Sequence, residues 1–450
     1  MTTDLTKGKA LPLIFKYSLP IIGGQLFQLF YTLADTLIVG QTLGSEALAA
    51  VGATSIVTYF QLVFIQGFTN GLGIVTGQCY GAHDRAKIRR SVAASNLLGI
   101  YLTIILTIIF SIASFFIPNL MQIPEEISKS AWIYMFVIFL GSVTTVFYNI
   151  ISNIMRALGD SKTPLYFLII SSLLNIVLDL VFIIVFHWGV AGAAIATIFS
   201  QGVSAVGSYI YAFSRFDELK KITKAEYKES QKDFSRHLKM ALPMGLQMSV
   251  MSIGQLAMQT AVNTFGTNII AGYTAASKVD QMSVLVNNAF SSTVAGYVSQ
   301  NYGAGEYERI KRGVLATLFL TQCANTIMGL FIYFMVPVIP SIFLSSVNNE
   351  IAEAVRTYVI AIIPYYYLLG LLCVYRTALQ AVGNNTIPFI ACLSELFGRV
   401  SASIFLRLLL GFYGVCFATT FAWILDAAIV TPCSYYYLKH YVKKKILLKV

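Results

Sequence analysis

The sequence predicts an all-α membrane protein, with twelve transmembrane helices in two six-helix lobes related by a pseudo-two-fold axis along the membrane normal. Composition is one reason, because 57% of the 450 residues are hydrophobic and 11% are charged, whereas soluble domains carry about 25% charged residues. The second reason is twelve apolar stretches of about 20 residues or more, the length that spans a bilayer. The stretches are 13–41, 50–76, 91–117, 131–155, 164–186, 189–213, 240–264, 269–298, 313–337, 353–379, 387–411 and 413–438.

An internal repeat divides these spans into two sets of six. The phrase Gln-Cys-Tyr-Gly-Ala at 78–82 returns as Gln-Asn-Tyr-Gly-Ala at 300–304, and Leu-Pro at 19–20 returns at 242–243. An even number of spans per repeat brings the chain back to its starting side, so the copies are expected to be parallel repeats. The predicted boundaries are an N-lobe at 1–213, a charged linker at 214–238 and a C-lobe at 239–450.

The basic residues predict the orientation. Most of the 31 Lys and Arg residues fall on the side of the N terminus, with Arg376 counted among them. Basic residues accumulate in cytoplasmic loops, so both termini are expected in the cytoplasm of a multi-pass plasma-membrane protein. The net charge of +11 follows from this bias and from attraction to anionic lipids, and no nucleic-acid partner is expected.

Acidic residues inside the spans are the candidate functional residues, because an unpaired charge in lipid costs at least a few kcal/mol. Asp35, Asp179 and Thr197 all fall about 9–12 Å below the outer ends of their helices, as judged from the helical rise. One polar chamber is therefore predicted to hold them. Tyr31 precedes Asp35 by one turn, and Asn175 precedes Asp179 by one turn, so each acid has a polar neighbour on its own helix face.

The chemistry of this chamber leaves two ligands open. Two carboxylates close together in a poorly hydrated site disfavour double ionisation, which makes a proton site. The same oxygens, supplemented by Asn and Thr, also suit Na⁺ bound by Asp35 and Asp179. No cofactor is expected beyond this coupling ion, and no phosphate-binding glycine loop points to ATP.

The second lobe carries a less definite polar set. Glu395 and Arg399 lie one turn apart, which is typical of a buried ion pair, whereas Asp280 and Asp426 have no evident partner. Glu395, Arg399 and Asp280 are predicted as a second polar site, and Asp426 is the weakest candidate. In the first helix, Pro20 with Gly23 and Gly24 predicts either a hinge or a static kink.

Several of these motifs together resemble the multidrug and toxic compound extrusion (MATE) transporters. The resemblance covers essentially the whole chain. The pattern of Asn175 and Asp179 with Thr197 is similar to the branch named for DNA-damage-inducible proteins. The motifs are the duplicated Gln-x-Tyr-Gly-Ala followed by basic residues, Tyr31-x3-Asp35-Thr36 leading to Ala47–Gly52, and the segment Arg156–Pro164.

The resemblance implies that an acid pair in the N-lobe couples substrate export to cation entry. The coupling residues it implies are Tyr31, Asp35, Asn175, Asp179 and Thr197. Another branch uses acids of the C-lobe, including one on the seventh helix. Here the large polar residues of that helix are Gln247, Gln255 and Gln259.

The predicted function is secondary antiport, in which amphipathic cationic organic compounds leave in exchange for H⁺ or Na⁺ by alternating access of the two lobes. The partners are then small organic substrates and membrane lipids, and a monomer is expected. The alternative is a flippase of a lipid-linked metabolite, which usually needs a basic central cavity for a pyrophosphate. A membrane-embedded enzyme is not expected, since the interfacial loops lack His or acid pairs at metal-binding spacing.

Overall fold

A computed structural model describes residues 3–220, 222–344 and 347–447. These residues form α-helices joined by short loops, and the described ranges contain no β-strand. The helices are α1 (Ala10–Gly81), α2 (Arg85–Ser114), α3 (Ile117–Leu120), α4 (Glu125–Leu140), α5 (Ser142–Ala157), α6 (Lys162–Leu180), α7 (Gly189–Arg215), α8 (Lys224–Ser230), α9 (Phe234–Val262), α10 (Thr267–Ala304), α11 (Tyr307–Met335), α12 (Ile339–Phe343), α13 (Asn349–Ile362), α14 (Tyr366–Ala381) and α15 (Thr386–Leu447).

Two of these helices each contain two predicted spans. Helix α1 is broken at Gly44 (φ 85°) and α15 at Gly411 (φ 58°), where a left-handed backbone turns the chain at little cost for glycine. Within the described ranges, seven helices are long and apolar enough to cross a membrane, or eight if the bent pair α4 and α5 is one span. Helices α9 and α10 coincide with the seventh and eighth predicted spans. Each of the twelve predicted spans is therefore mainly helical, although Gly141 interrupts the fourth and a 3-10 turn at Ile363–Tyr365 interrupts the tenth.

The chain forms two compact units. One is built on Gly23–Leu246, and the other on Leu5–Ile22 together with the chain from Gln247 onward. The division therefore falls within α1 and within α9, each time about one turn after the proline that the repeat places there, Pro20 or Pro243. These limits differ from the predicted lobe boundaries, because the first turns of α1 pack with the second unit and those of α9 with the first.

The repeated glutamine has an equivalent contact in each unit. Gln78 accepts a hydrogen bond from Arg236 Nη2 at 2.8 Å, at the start of α9. Gln300 accepts one from the Leu5 backbone N–H at 3.0 Å, just before α1. In both copies the Gln-x-Tyr-Gly-Ala motif thus binds the segment that leads into a first helix. This contact gives the duplicated motif a structural role.

The charged linker contains the short surface helix α8. Thr223 and Glu226 make a capping box at the start of α8, which satisfies backbone N–H groups that the helix leaves free. Two arginines of α2 bind this region, Arg89 to Glu226 at 3.7 Å and Arg90 to Glu229 at 3.7 Å. The linker is therefore held to the first unit.

Close packing of α1 against the start of α9 gives the first prediction. A Cβ atom on Gly71 would lie 2.6 Å from Ala241 Cα, whereas one on Gly52, also in α1, would meet no atom within 4 Å. We expect Gly71→Ala to destabilise the protein by about 1–3 kcal/mol, since backbone atoms must shift. Thermal unfolding in detergent should show a lower midpoint for Gly71→Ala and little change for Gly52→Ala. Equal midpoints would contradict this packing.

Candidate functional site

The predicted acid pair of the first unit comes together. Asp179 near the end of α6 is fully buried, and the Asp35 side chain of α1 lies within hydrogen-bonding range of it. One oxygen of each carboxylate, Oδ1 of Asp35 and Oδ1 of Asp179, is buried and has no hydrogen-bond donor among the described residues. Two buried carboxylate oxygens that lack donors in one site need a proton or a cation to offset their desolvation.

The other three predicted residues surround this pair. In the amide orientation that satisfies its neighbours, Asn175 donates to Asp179 Oδ2 at 3.1 Å and accepts from the Thr197 backbone N–H at 3.1 Å. The Tyr31 hydroxyl lies within hydrogen-bonding range of the Thr197 side chain. Helices α1, α6 and α7 therefore bring these five residues together, including the three whose depths match.

An apolar cluster lies one helical turn from the acids. Val39, Ile183 and Ala193 are buried against one another, and each is four residues from Asp35, Asp179 or Thr197 in the direction of the Gly44 break. This cluster separates the acids from the helix ends on that side. Such separation keeps the carboxylates in a low-dielectric environment, where a bound cation interacts strongly with them.

Two features of this site were not predicted from the sequence. Tyr134 of α4 lies close enough to Asp35 and Asp179 to interact electrostatically with both. It lies only three residues, or about 5 Å, into the predicted span 131–155, so the depth count that found the acids does not find it. The structure begins α4 earlier, at Glu125, which places Tyr134 deeper. The second feature is a π-helical turn at Val181–Val185, directly after Asp179. Such turns are frequent at functional sites.

The predicted hinge residues lie inside a continuous helix. Pro20 is within α1, and the one residue of α1 with non-helical dihedral angles is Gly44. Cβ atoms added at Gly23 and Gly24 would make ordinary contacts of 3.8 Å with Leu165. The segment is therefore helical in this conformation, and a role for it in bending stays a prediction.

In the second unit, Glu395 and Arg399 form the predicted ion pair, with Arg399 Nη2 at 2.6 Å from Glu395 Oε1. They belong to a larger cluster that the sequence did not reveal. Arg376 Nη2 lies 2.8 Å from Glu395 Oε2 and also binds Asp426. Two predictions were therefore wrong. Asp426 is not alone, and Arg376, which is 5% exposed, is not a loop residue.

Asp280 lies outside this cluster. Its carboxylate accepts hydrogen bonds from Tyr366 Oη at 2.6 Å and Tyr358 Oη at 3.1 Å. The side chains predicted as one C-lobe site therefore occupy two different environments. Glu395 is bound by two guanidinium groups, whereas Asp280 is bound by neutral phenols.

Comparison with known proteins identifies relatives over most of the chain. The family model described as MatE matches twice, at residues 20–181 and 243–405, in the register of the repeated phrases. The chain is 33% identical over 313 residues to the probable multidrug resistance protein YpnP of Bacillus subtilis, and the match covers 68% of each chain. It is 26% identical over 385 residues to the probable multidrug resistance protein NorM of Thermotoga maritima, covering 84% of this chain and 81% of that protein.

Among solved structures, the fold resembles the outward-facing conformation of a multidrug resistance MATE family transporter. The TM-score is 0.90 at 23% identity, and the match covers 99% of this chain and 100% of that one. This similarity confirms the predicted helical membrane fold.

Proposed function

Because the chain belongs to the MatE family, we propose that it is a secondary antiporter that exports amphipathic, cationic organic compounds in exchange for H⁺ or Na⁺. The names of its relatives as multidrug resistance proteins support the substrate class. The observation that carries the coupling mechanism is the pair Asp35 and Asp179, each with a buried carboxylate oxygen that lacks a donor in the described ranges. The pattern around Asn175 supports assignment to the DNA-damage-inducible branch.

Coupling requires that cation and substrate stabilise different states of the protein. A cation bound between Asp35 and Asp179 cancels negative charge that would otherwise attract a cationic substrate. Cation entry thus weakens substrate binding and favours release on the outer side, with α1 bending near Pro20 as the lobes alternate. With both termini in the cytoplasm, as the basic residues predict, this cycle exports the substrate.

The available driving force suits such an exchange. One H⁺ that enters down a potential of 100 mV provides about 2.3 kcal/mol, and each pH unit adds about 1.36 kcal/mol. When one H⁺ exchanges for one monovalent cation, no net charge moves and the potential cancels, so each pH unit sustains about a tenfold substrate gradient. The potential contributes only if more than one H⁺ enters per substrate. No nucleotide hydrolysis is therefore needed, and we propose a transporter that acts as a monomer in the plasma membrane, with lipids as its surroundings.

The flippase alternative is less well supported by the second unit. A pyrophosphate needs basic groups that are free to bind it. Arg376 and Arg399 are instead engaged with Glu395 and Asp426 inside the cluster. This pairing favours antiport of organic cations over movement of a lipid-linked anion.

Transport by purified protein in liposomes tests the proposal. A fluorescent organic cation such as ethidium is loaded, and a pH gradient and a Na⁺ gradient are imposed separately. We expect one of the two ion gradients to drive ethidium against its concentration gradient. Ethidium-loaded liposomes without protein should show no such movement. If neither gradient drives ethidium, the antiport proposal fails, and lipid-linked substrates become the next class to test.

A further inference from the structure

We propose that Asp280 in the second unit is an additional proton-binding site of this protein. The proposal rests on antiport as proposed above, and it concerns the number of protons exchanged rather than the exchange itself. Three observations carry it: the neutral donors around Asp280, the engagement of the nearby cation elsewhere, and a buried hydroxyl next to one of the donors.

The first observation is the set of groups that face Asp280. Tyr366 of α14 and Tyr358 of α13 both donate to its carboxylate, at 2.6 and 3.1 Å. Asp280 is partly buried. Phenols leave its formal negative charge in place, and their hydrogen bonds compensate only part of the cost of partly removing a carboxylate from water. The other titratable or charged side chains close to this group are Tyr273 of α10 and Arg399 and Cys416 of α15.

The second observation is that the nearby cation is already engaged. Arg399 attracts Asp280 electrostatically, but its Nη2 atom is bound to Glu395 at 2.6 Å. Arg376 and Arg399 together balance Glu395 and Asp426, so that cluster is formally neutral without any bound ion. Asp280 adds one negative charge to the helix bundle that no arginine of the cluster is left to neutralise. A proton supplies the missing charge.

The third observation favours a proton over a metal ion. Hard cations bind through the lone pairs of several oxygen ligands, but both phenols direct their hydrogens at the Asp280 carboxylate. A protonated carboxyl group instead donates to one phenol oxygen, which then needs a new acceptor for its own hydrogen. Ser283, one turn along α10, is fully buried near Tyr366, and its Oγ has no hydrogen-bond partner in the described ranges.

The bonding changes on proton uptake therefore balance within the site. The incoming proton forms an O–H bond on Asp280, which donates to the Tyr366 oxygen. The Tyr366 hydroxyl turns its hydrogen to Ser283 Oγ, and Tyr358 continues to donate to the other carboxyl oxygen. Loss of the proton reverses these steps, after which Ser283 Oγ again lacks a partner among the described residues.

Stoichiometry in proteoliposomes tests the proposal. With the membrane potential held at zero and a gradient of one pH unit, each coupled proton supports about a tenfold ethidium gradient at zero net flux. If the first unit binds one proton and Asp280 another, the wild type should build an ethidium concentration gradient of about 100-fold. The Asp280→Asn variant should build one of about tenfold. Lys278→Gln, an exposed neighbour on α10, should match wild type.

The outcomes separate this proposal from the proposed function. If wild type shows no gradient-driven transport, antiport itself fails. If wild type transports ethidium and Asp280→Asn reaches the same limiting gradient, only the Asp280 site is overturned. A decrease in Asp280→Asn under a Na⁺ gradient alone would also overturn the proton assignment.

A second variant keeps the test decisive if Asp280→Asn does not fold. Tyr358→Phe combined with Tyr366→Phe retains the acid but removes both donors that stabilise its charged form. The remaining carboxyl group should hold its proton to higher pH, so the midpoint of the pH–rate profile should rise by about one unit or more. An unchanged midpoint in this folded variant would contradict the proposal.

Discussion

Asp35→Asn is expected to abolish gradient-driven export while the protein still folds and inserts into the membrane. Asparagine has nearly the shape of a protonated aspartate but can neither release a proton nor contribute a charged ligand. In the structure, Asp35 is partly buried beside Asp179, so loss of one charge also relieves repulsion between two carboxylates. The measurement is ethidium movement in liposomes under each gradient, with size-exclusion profiles to confirm folding.

Thr32→Ala is the matched control for this variant. Thr32 lies three residues before Asp35, is exposed, and bonds within α1 to the Gln28 carbonyl at 3.0 Å. The Thr32→Ala variant should therefore transport ethidium as the wild type does. Wild-type export by Asp35→Asn would remove Asp35 from the coupling mechanism, whatever the behaviour of the control.

Arg376→Met is expected to cause the largest loss of stability. Arg376 is the guanidinium that binds both Glu395 and Asp426, and Asp426 is fully buried. Removal of one partner of a buried ion pair costs about 3–5 kcal/mol, because the remaining charge is uncompensated. We expect a much lower unfolding midpoint in detergent and poor recovery of monodisperse protein.

A second substitution separates charge from packing. Arg376→Met combined with Asp426→Asn removes the orphaned charge and should recover a large part of the lost stability, whereas Arg407→Met alone should change little. Arg407 is a suitable control because it is half-buried and donates to the Thr264 hydroxyl at 3.1 Å. If the double variant is no more stable than Arg376→Met, the cost does not arise from an unpaired acid.

The N-lobe site could be predicted because its residues share one simple property. Asp35, Asp179 and Thr197 lie at equal depths on helices of the same repeat, and depth follows directly from counting residues along a regular helix. The helices did not need to be oriented first, because few other polar groups occupy that level. The twelve spans were predictable for a similar reason, since bilayer thickness sets their length.

The polar contacts of the second unit were harder to predict from the sequence because they join residues of different helices. Arg376 lies close to the end of a predicted span, where basic residues are common. Nothing in the neighbouring sequence indicates that its partner, Asp426, lies 50 residues further along the chain. The pairing with Asp426 depends on how α14 packs against α15. The phenols that bind Asp280 likewise come from α13 and α14. Local spacing revealed Glu395 and Arg399 alone, because they are one turn apart.

The dependence of substrate affinity on cation concentration tests the role of the acid pair most directly. Linkage requires that a cation which weakens substrate binding is itself displaced by substrate to the same degree. Ethidium affinity of the purified protein should fall as either H⁺ or Na⁺ is raised, and most of this dependence should disappear in Asp35→Asn combined with Asp179→Asn. The proposed coupling site would be contradicted if the ethidium affinity of the wild type depended on neither H⁺ nor Na⁺. It would also be contradicted if the double variant kept the same dependence as the wild type.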